Sequence, residues 1–217
     1  MPDIKSFSTR DVRFGMPEGS GSDAIHSDPE YSYAVTLLET DGHGQTGTGS
    51  TFTLGAGNDI VADLAGRLTN RMLNLGGRDI EEIMARFGEI QKALADDPQL
   101  RWLGPHKGAI HLALASVTNA AFDLWARARG LPLWQLLLDL RDDEVVALLD
   151  LSWIQDVLTP GQALDLLARE RPTRADRSVI LETGYPGYDT SVGWFGYTDE
   201  VIAEKAQAAY EQGFRAM

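Results

Sequence analysis

The chain has no cysteine. That excludes disulfide staples, thiolate metal ligands and thiol nucleophiles together, and it fits a reducing compartment. Histidine is scarce at four residues. His26, His43, His106 and His111 show no metal-ligand spacing, and His106 and His111, five apart, do not share a helix face. Basic charge is also short: 19 Lys and Arg stand against 32 Asp and Glu, a net charge of −13. A nucleic-acid or anionic membrane partner needs a basic face, so neither is expected. No apolar run approaches the roughly 18 residues of a membrane span. The opening MPDIKSFSTRDVRF has no apolar run long enough for a signal peptide, so the expected location is cytoplasmic. A Walker A lysine pattern is missing as well.

What is present is core. Hydrophobic residues make up 43% of the chain, with five Trp, seven Phe and six Tyr, enough to exclude disorder and to bury a sizeable interior. The strongest pattern runs over residues 107–138. Ile110, Leu114, Val117, Ala121, Leu124 and Ala128 step by three and four, one face of a helix. Gly130 stands where a left-handed stop is wanted, Pro132 forbids continuation, and a short apolar helix follows through Leu138.

Upstream, residues 4–14, 31–39 and 46–54 read as three strands, the third weakened by Gly47 and Gly49, with Asp41-Gly42 as a hairpin turn. Asn58 or Asp59 is expected to cap a helix over residues 60–74, and Asp79 a second with Glu82 in a capping box. Downstream, the charged turn 141–144 precedes VVALLDLSW, residues 145–153, an apolar run suited to a buried parallel strand. A helix over 160–170, an irregular aromatic stretch over 171–197, a helix capped by Asp199 and running to Gln212, and a strand from Phe214 complete the pattern. The expected fold is an α+β capping domain of a small antiparallel sheet and helices, residues 1–144, followed by the first βαβ portion of a (β/α) barrel, residues 145–217. One such unit cannot close on itself, so the chain is expected to need the rest of the barrel or a partner chain.

Few motifs carry chemistry. Gly42 to Gly47 matches G-x-G-x-x-G, but a strand-like TGSTFT follows instead of the helix that a dinucleotide needs, so it reads as a hairpin. Asp142, Asp143 and Glu144 form a turn, and Asp150 sits inside the apolar run. Tyr185, Tyr188, Trp194, Phe195 and Tyr197 follow the expected end of a parallel strand. That is a ligand-binding face in α/β folds, although loop aromatics also serve interfaces.

Residues 115–137, ASVTNAAFDLWARARGLPLWQLL, resemble the closing helices of the N-terminal capping domain in the mandelate-racemase-like branch of the enolase superfamily. Asp123, Leu124, Gly130, Pro132, Leu133, Leu136 and Leu137 carry the pattern. DAIHSDPEYSYAVTLLETDG, TFTLGAGN, LRWLGPHKGAIHLA and ETGYPGYDTSVGWFGYTDE are similar to the L-fuconate dehydratases of that superfamily. The resemblance implies a hydro-lyase that forms a 2-keto-3-deoxy acid by Mg²⁺-assisted α-proton abstraction and loss of the β-hydroxyl as water. It implies a lid over residues 15–31, with Gly21, Ser22, Asp23 and Tyr31 touching an acid-sugar substrate and His26 and Trp194 beside them. It also implies a homo-oligomer. The family's Lys-x-Lys, its Mg²⁺ ligands and its acid His would follow Met217. No catalytic residue is therefore assigned within these residues, and the 217-residue polypeptide alone is expected to be inactive. A non-catalytic module that binds a partner chain is the alternative.

Overall fold

Strand formation starts with the alternation in residues 31–40. Strand β2 (Tyr31–Thr40) buries Ser32, Ala34, Thr36 and Leu38 on one face and turns Tyr31, Tyr33 and Val35 to the other, the period-two signature of a half-covered sheet. It is the middle strand of an antiparallel sheet between β1 (Ile4–Phe14) and β3 (Thr46–Thr53). The structure is a computed structural model that describes residues 3–27, 29–41, 45–104, 108–182, 184–185 and 187–217. His43, His106 and Gly42 lie outside the described residues, so the expected turn at Asp41-Gly42 is described only at Asp41.

The buried face is covered by α1 (Asn58–Gly76) and α4 (Ala109–Ala128), with α2 (Ile80–Ala85) and α3 (Phe87–Ala95) alongside. Ile110, Leu114, Val117, Ala121 and Leu124 of α4 are all within the core, as the spacing predicts. Burial of each such Leu, Ile or Val side chain is worth about 1.5–3 kcal/mol. The helix ends in a Schellman motif. Gly130 takes φ 67, its N–H bonds Arg127, and the Leu131 N–H reaches back to Ala126. Pro132 then opens α5 (Leu133–Asp139), which buries Leu136.

Gly47 and Gly49 do more than weaken β3. A methyl group on Gly47 would overlap the Ala120 carbonyl, and one on Gly49 the Ser116 carbonyl. The two glycines let the α4 backbone lie flush on the strand. At that contact the Thr36 and Ser116 hydroxyls pair at 2.7 Å, fully buried. Asp123 and Asn119 of α4 bond the edge of β3, accepting from Thr48 N at 2.8 Å and donating to the Ser50 carbonyl at 3.1 Å.

Several local expectations are corrected. Neither Asn58 nor Asp59 caps α1: Gly57 stands at that position, and the Asn58 side chain is buried in a network with Thr53 and Asp11. Asp79 does cap α2, through Glu81 N, but the expected single helix breaks at Arg86 into α2 and α3. The strand expected at residues 145–153 does not form. Arg141 to Glu144 open a helix instead, α6 (Asp142–Ala147), with three carboxylates in its first turn and Glu144 accepting the Arg141 N–H. A strand needs a neighbour to bond, and no parallel strand stands beside this run among the described residues. Acidic side chains at an N-terminus favour the helix instead.

Helix α7 (Pro160–Glu170) forms as expected, with Thr159 and Gln162 in a capping box. The stretch expected to be irregular contains α8 (Arg174–Glu182). Helix α9 (Asp199–Glu211) is capped by Thr198 rather than Asp199 and buries Ala209. Residues 214–217 form no strand, and the Ala216 carbonyl accepts the Asp189 N–H at 3.2 Å. Among the described residues no helix is long and apolar enough to cross a membrane.

The close approach of α4 predicts that Gly49→Ala, which forces the helix off the strand, lowers stability by about 2–3 kcal/mol in urea unfolding. A wild-type midpoint would refute the contact.

Candidate functional site

The first strand leaves the sheet at Phe14, and the chain returns at Tyr31 by a polar loop. Its N-terminal half folds back on itself: Ser20 N–H bonds the Pro17 carbonyl at 3.0 Å, with left-handed Gly19 and Gly21 on either side of Ser20. This half docks on the turn that precedes α9. Ser22 is 4% exposed. Its hydroxyl donates to the Gly19 carbonyl at 2.7 Å and accepts the Gly196 N–H at 2.6 Å. Its own carbonyl accepts the Phe195 N–H at 3.2 Å. Beside it the Ser20 and Tyr197 hydroxyls pair at 2.9 Å, and Lys205 lies 5.0 Å above the Tyr197 ring.

The second half is an Asp-led turn. The Asp23 carboxylate accepts the N–H groups of Ile25 at 2.8 Å and His26 at 2.7 Å, and its oxygens lie 3.0 Å from His26 Nδ1. Hydrogen bonds from the His26 N–H, then the His26 ring, then the Ile25 N–H hold the carboxyl down to about 2. The ionised Asp23 places a proton on Nδ1, so in the neutral form of the ring Nε2 is the acceptor. His26 lines an open cavity of about 380 Å³ with Ile25, Ser27, Glu30, Leu54 and Gly55.

The cavity floor is fixed by a polar chain from the sheet. Arg13 bonds both Glu30, at 2.7 Å, and Asp11. Asn58 donates to Asp11 and accepts from Thr53 Oγ1 at 2.6 Å. Thr53 pairs with Ser32 at 2.7 Å, and Ser32 Oγ accepts the Gly55 N–H at 2.7 Å. The turn carrying Leu54 and Gly55 is thus tied to the same strands that carry the loop.

The six residues expected at a substrate site are brought together, but they are not equivalent. Asp23 is exposed beside the cavity lining, and His26 is half-buried within that lining. Tyr31 stands behind Gly21, which packs on its ring so closely that a methyl would fall 2.8 Å from it. The Tyr31 ring meets Phe52 edge-on at 4.9 Å. Trp194 opens the turn on which Ser22 docks, its carbonyl accepting the Tyr197 N–H at 3.0 Å. Gly21 and Ser22 are buried, and the Ser22 hydroxyl already has a donor and an acceptor. Sequence reasoning missed the pairing of Ser20 with Tyr197 and of Gly19 with Gly196. Those glycines touch across 177 positions, a separation no local pattern reports.

A larger cavity of about 600 Å³ lies between α5 and α8. Its arginines are engaged: Arg174 with the Leu138 and Leu140 carbonyls, Arg171 with Asp142. Among the described residues no group of three His, Asp or Glu could hold a metal ion.

The Asp23 turn gives a signed pH dependence. The folded value lies below the ordinary 3.8, so the carboxylate's hold on the loop is complete above that pH and is lost as the pH falls through about 2. The Asp23 carboxyl carbon shift should titrate near 2, and a midpoint at 3.8 would refute the turn.

Comparisons with known proteins agree with this architecture. Residues 21–137 match the mandelate racemase / muconate lactonizing enzyme N-terminal domain. The chain is 41% identical over 214 residues to human mitochondrial enolase superfamily member 1, covering 97% of this chain and 48% of that protein. It is 37% identical over 215 residues to L-galactonate dehydratase of Hypocrea jecorina, covering 98% of this chain and 47% of that enzyme. The crystal structure of the human protein superposes with a TM-score of 0.89 at 40% identity, over 98% of this chain and 48% of that one. The chain therefore spans about half the length of the relatives it matches. A helix-covered antiparallel sheet, a polar loop leaving its first strand and a match across 21–137 lead to one assignment: the chain belongs to the mandelate racemase / muconate lactonizing enzyme family of the enolase superfamily, and carries its N-terminal domain.

Proposed function

We propose that these residues are the lid-bearing part of an acid-sugar dehydratase, a hydro-lyase that acts on L-fuconate. The capping domain ends at about residue 144, and the chain beyond it belongs to the barrel. One observation carries the reading: the polar loop 19–27 is docked so that His26 stands at a cavity, its ring oriented by the exposed Asp23 carboxylate beside it. A relative named for dehydration of L-galactonate supports the reaction class.

The chemistry suits the residues. An acid sugar offers a carboxylate and a row of hydroxyls. The Asp23 carboxylate accepts from a hydroxyl, and His26 Nε2 accepts from a second. Tyr31, half-buried behind Gly21, is a third polar group on the protein side, a hydroxyl at the inner edge of the loop. In the reaction a proton leaves the carbon α to the carboxylate, the β-hydroxyl departs as water, and the enol becomes a 2-keto-3-deoxy acid.

The Mg²⁺ that such enzymes use has no fitting donor set among the described residues. Its ligands, the Lys base and the acid His belong outside these 217 residues, and Asp23, His26 and Tyr31 bind and orient rather than transfer the proton.

The protein that carries this segment, supplied with Mg²⁺ and L-fuconate or L-galactonate, should release a 2-keto-3-deoxy acid detectable as its semicarbazone. No turnover of any acid sugar would overturn the reading. The 217-residue polypeptide alone should release none, and turnover by it would overturn the assignment of the base to other residues. In the active protein, Asp23→Asn should raise KM about tenfold, the loss of one charged hydrogen bond; an unchanged KM would remove Asp23 from the site.

A further inference from the structure

We propose that Ser22 is a positioning residue, not a substrate contact: its side chain latches the lid to the turn before α9. The inference rests on the reading of residues 19–27 as a substrate lid. It reverses the role that the family resemblance implies for Ser22.

The hydroxyl inventory carries the argument. A serine hydroxyl has one proton and two lone pairs. The Ser22 proton is donated to the Gly19 carbonyl at 2.7 Å, within the lid. A lone pair takes the Gly196 N–H at 2.6 Å, in the turn. The residue is 4% exposed, so a sugar hydroxyl cannot reach the remaining lone pair without undocking the loop. One side chain therefore closes the lid on itself and ties it to a segment 174 positions away.

Three further contacts lie on the same seam. The Phe195 N–H donates to the Ser22 carbonyl at 3.2 Å. Ser20 and Tyr197 pair through their hydroxyls at 2.9 Å. Gly19 and Gly196 meet backbone to backbone: a methyl on Gly196 would stand 2.6 Å from Gly19 Cα, and one on Gly19 2.7 Å from the Gly196 carbonyl. This seam holds the first half of the lid, so the Asp23 turn that follows is presented from a fixed base. Asp23 and His26 touch the substrate, while Ser22, Ser20 and Tyr197 act through them.

Amide hydrogen exchange on the chain tests the latch without any substrate. Ser22→Ala should speed exchange at Phe195 and Gly196 by roughly five- to tenfold, and Tyr197→Phe should do so more weakly. The two substitutions together should give less than the product of their separate effects, because they open one seam. Tyr197→Phe serves alone if Ser22→Ala does not fold. Unchanged exchange at both amides in the folded variants overturns the latch, whatever is turned over.

In the active protein a second readout separates the two roles of Ser22. A positioning residue costs the same fold in kcat/KM for every acid sugar. A substrate contact costs nothing toward the sugar that lacks its partner hydroxyl, and that outcome would overturn the proposal. Faster exchange without turnover of any acid sugar would sink the dehydratase reading and leave the latch standing.

Discussion

The flush contact of α4 on β3 is the constraint on which the rest depends. Two glycines remove the side chains that would separate a helix from a strand, and the backbones meet at the Ser116 and Ala120 carbonyls. At that spacing Thr36 and Ser116 can pair in the dry interior. At a wider one, both hydroxyls would be buried without each other, a costly state. The same spacing brings Asp123 and Asn119 within reach of the outer edge of β3. An exposed strand edge invites pairing with other chains, and α4 occupies much of this one with its own side chains. Asp123, the acidic member of the family-like motif, thus closes an edge and also holds Arg127 at 2.9 Å.

From that fixed sheet the site inherits its order. Arg13, Ser32 and Thr53 stand near one end of three neighbouring strands; they anchor Glu30 and Gly55, which line the cavity, and the buried Asn58. The Phe14–Tyr33–Phe52–Tyr31 ring cluster continues the arrangement across the outer face, with centroids 4.9 to 5.8 Å apart. Position therefore comes from the sheet, whereas polarity comes from the loop. This division explains how a loop of glycine, serine and aspartate can hold a defined geometry.

Much of this was legible in residue order. The three strands, α4 with its Gly130 stop, the Asp79 cap and α7 follow from periodicity and capping, which are local. The reading of residues 145–153 went astray because an apolar run says only that a segment prefers burial; the strand also requires a bonded neighbour, which is not a property of the run. Three carboxylates at residues 142–144 were visible, and as a helix N-terminus they outweighed β propensity there. The role of Asn58 was hidden for another reason: an Asn before an apolar repeat is the usual sign of a cap, yet here its amide bridges Asp11 and Thr53. Of the candidate site, Asp23, His26 and Tyr31 were named by the family resemblance, because a polar loop shows no periodicity or spacing that would single them out. The inward turn of Ser22 was not, since it depends on a glycine near the far end of the chain.

That distance has a consequence during synthesis. Ser22 leaves the ribosome 174 residues before its partner Gly196. At ordinary elongation rates the interval is about 10 to 35 s. The sheet and α4 can assemble in that time, since their contacts close over shorter separations. The loop meanwhile has no seam to rest on, and its serines, glycines and aspartate keep it hydrated while it waits. Its sparing use of apolar side chains thus protects the nascent chain before it serves any ligand.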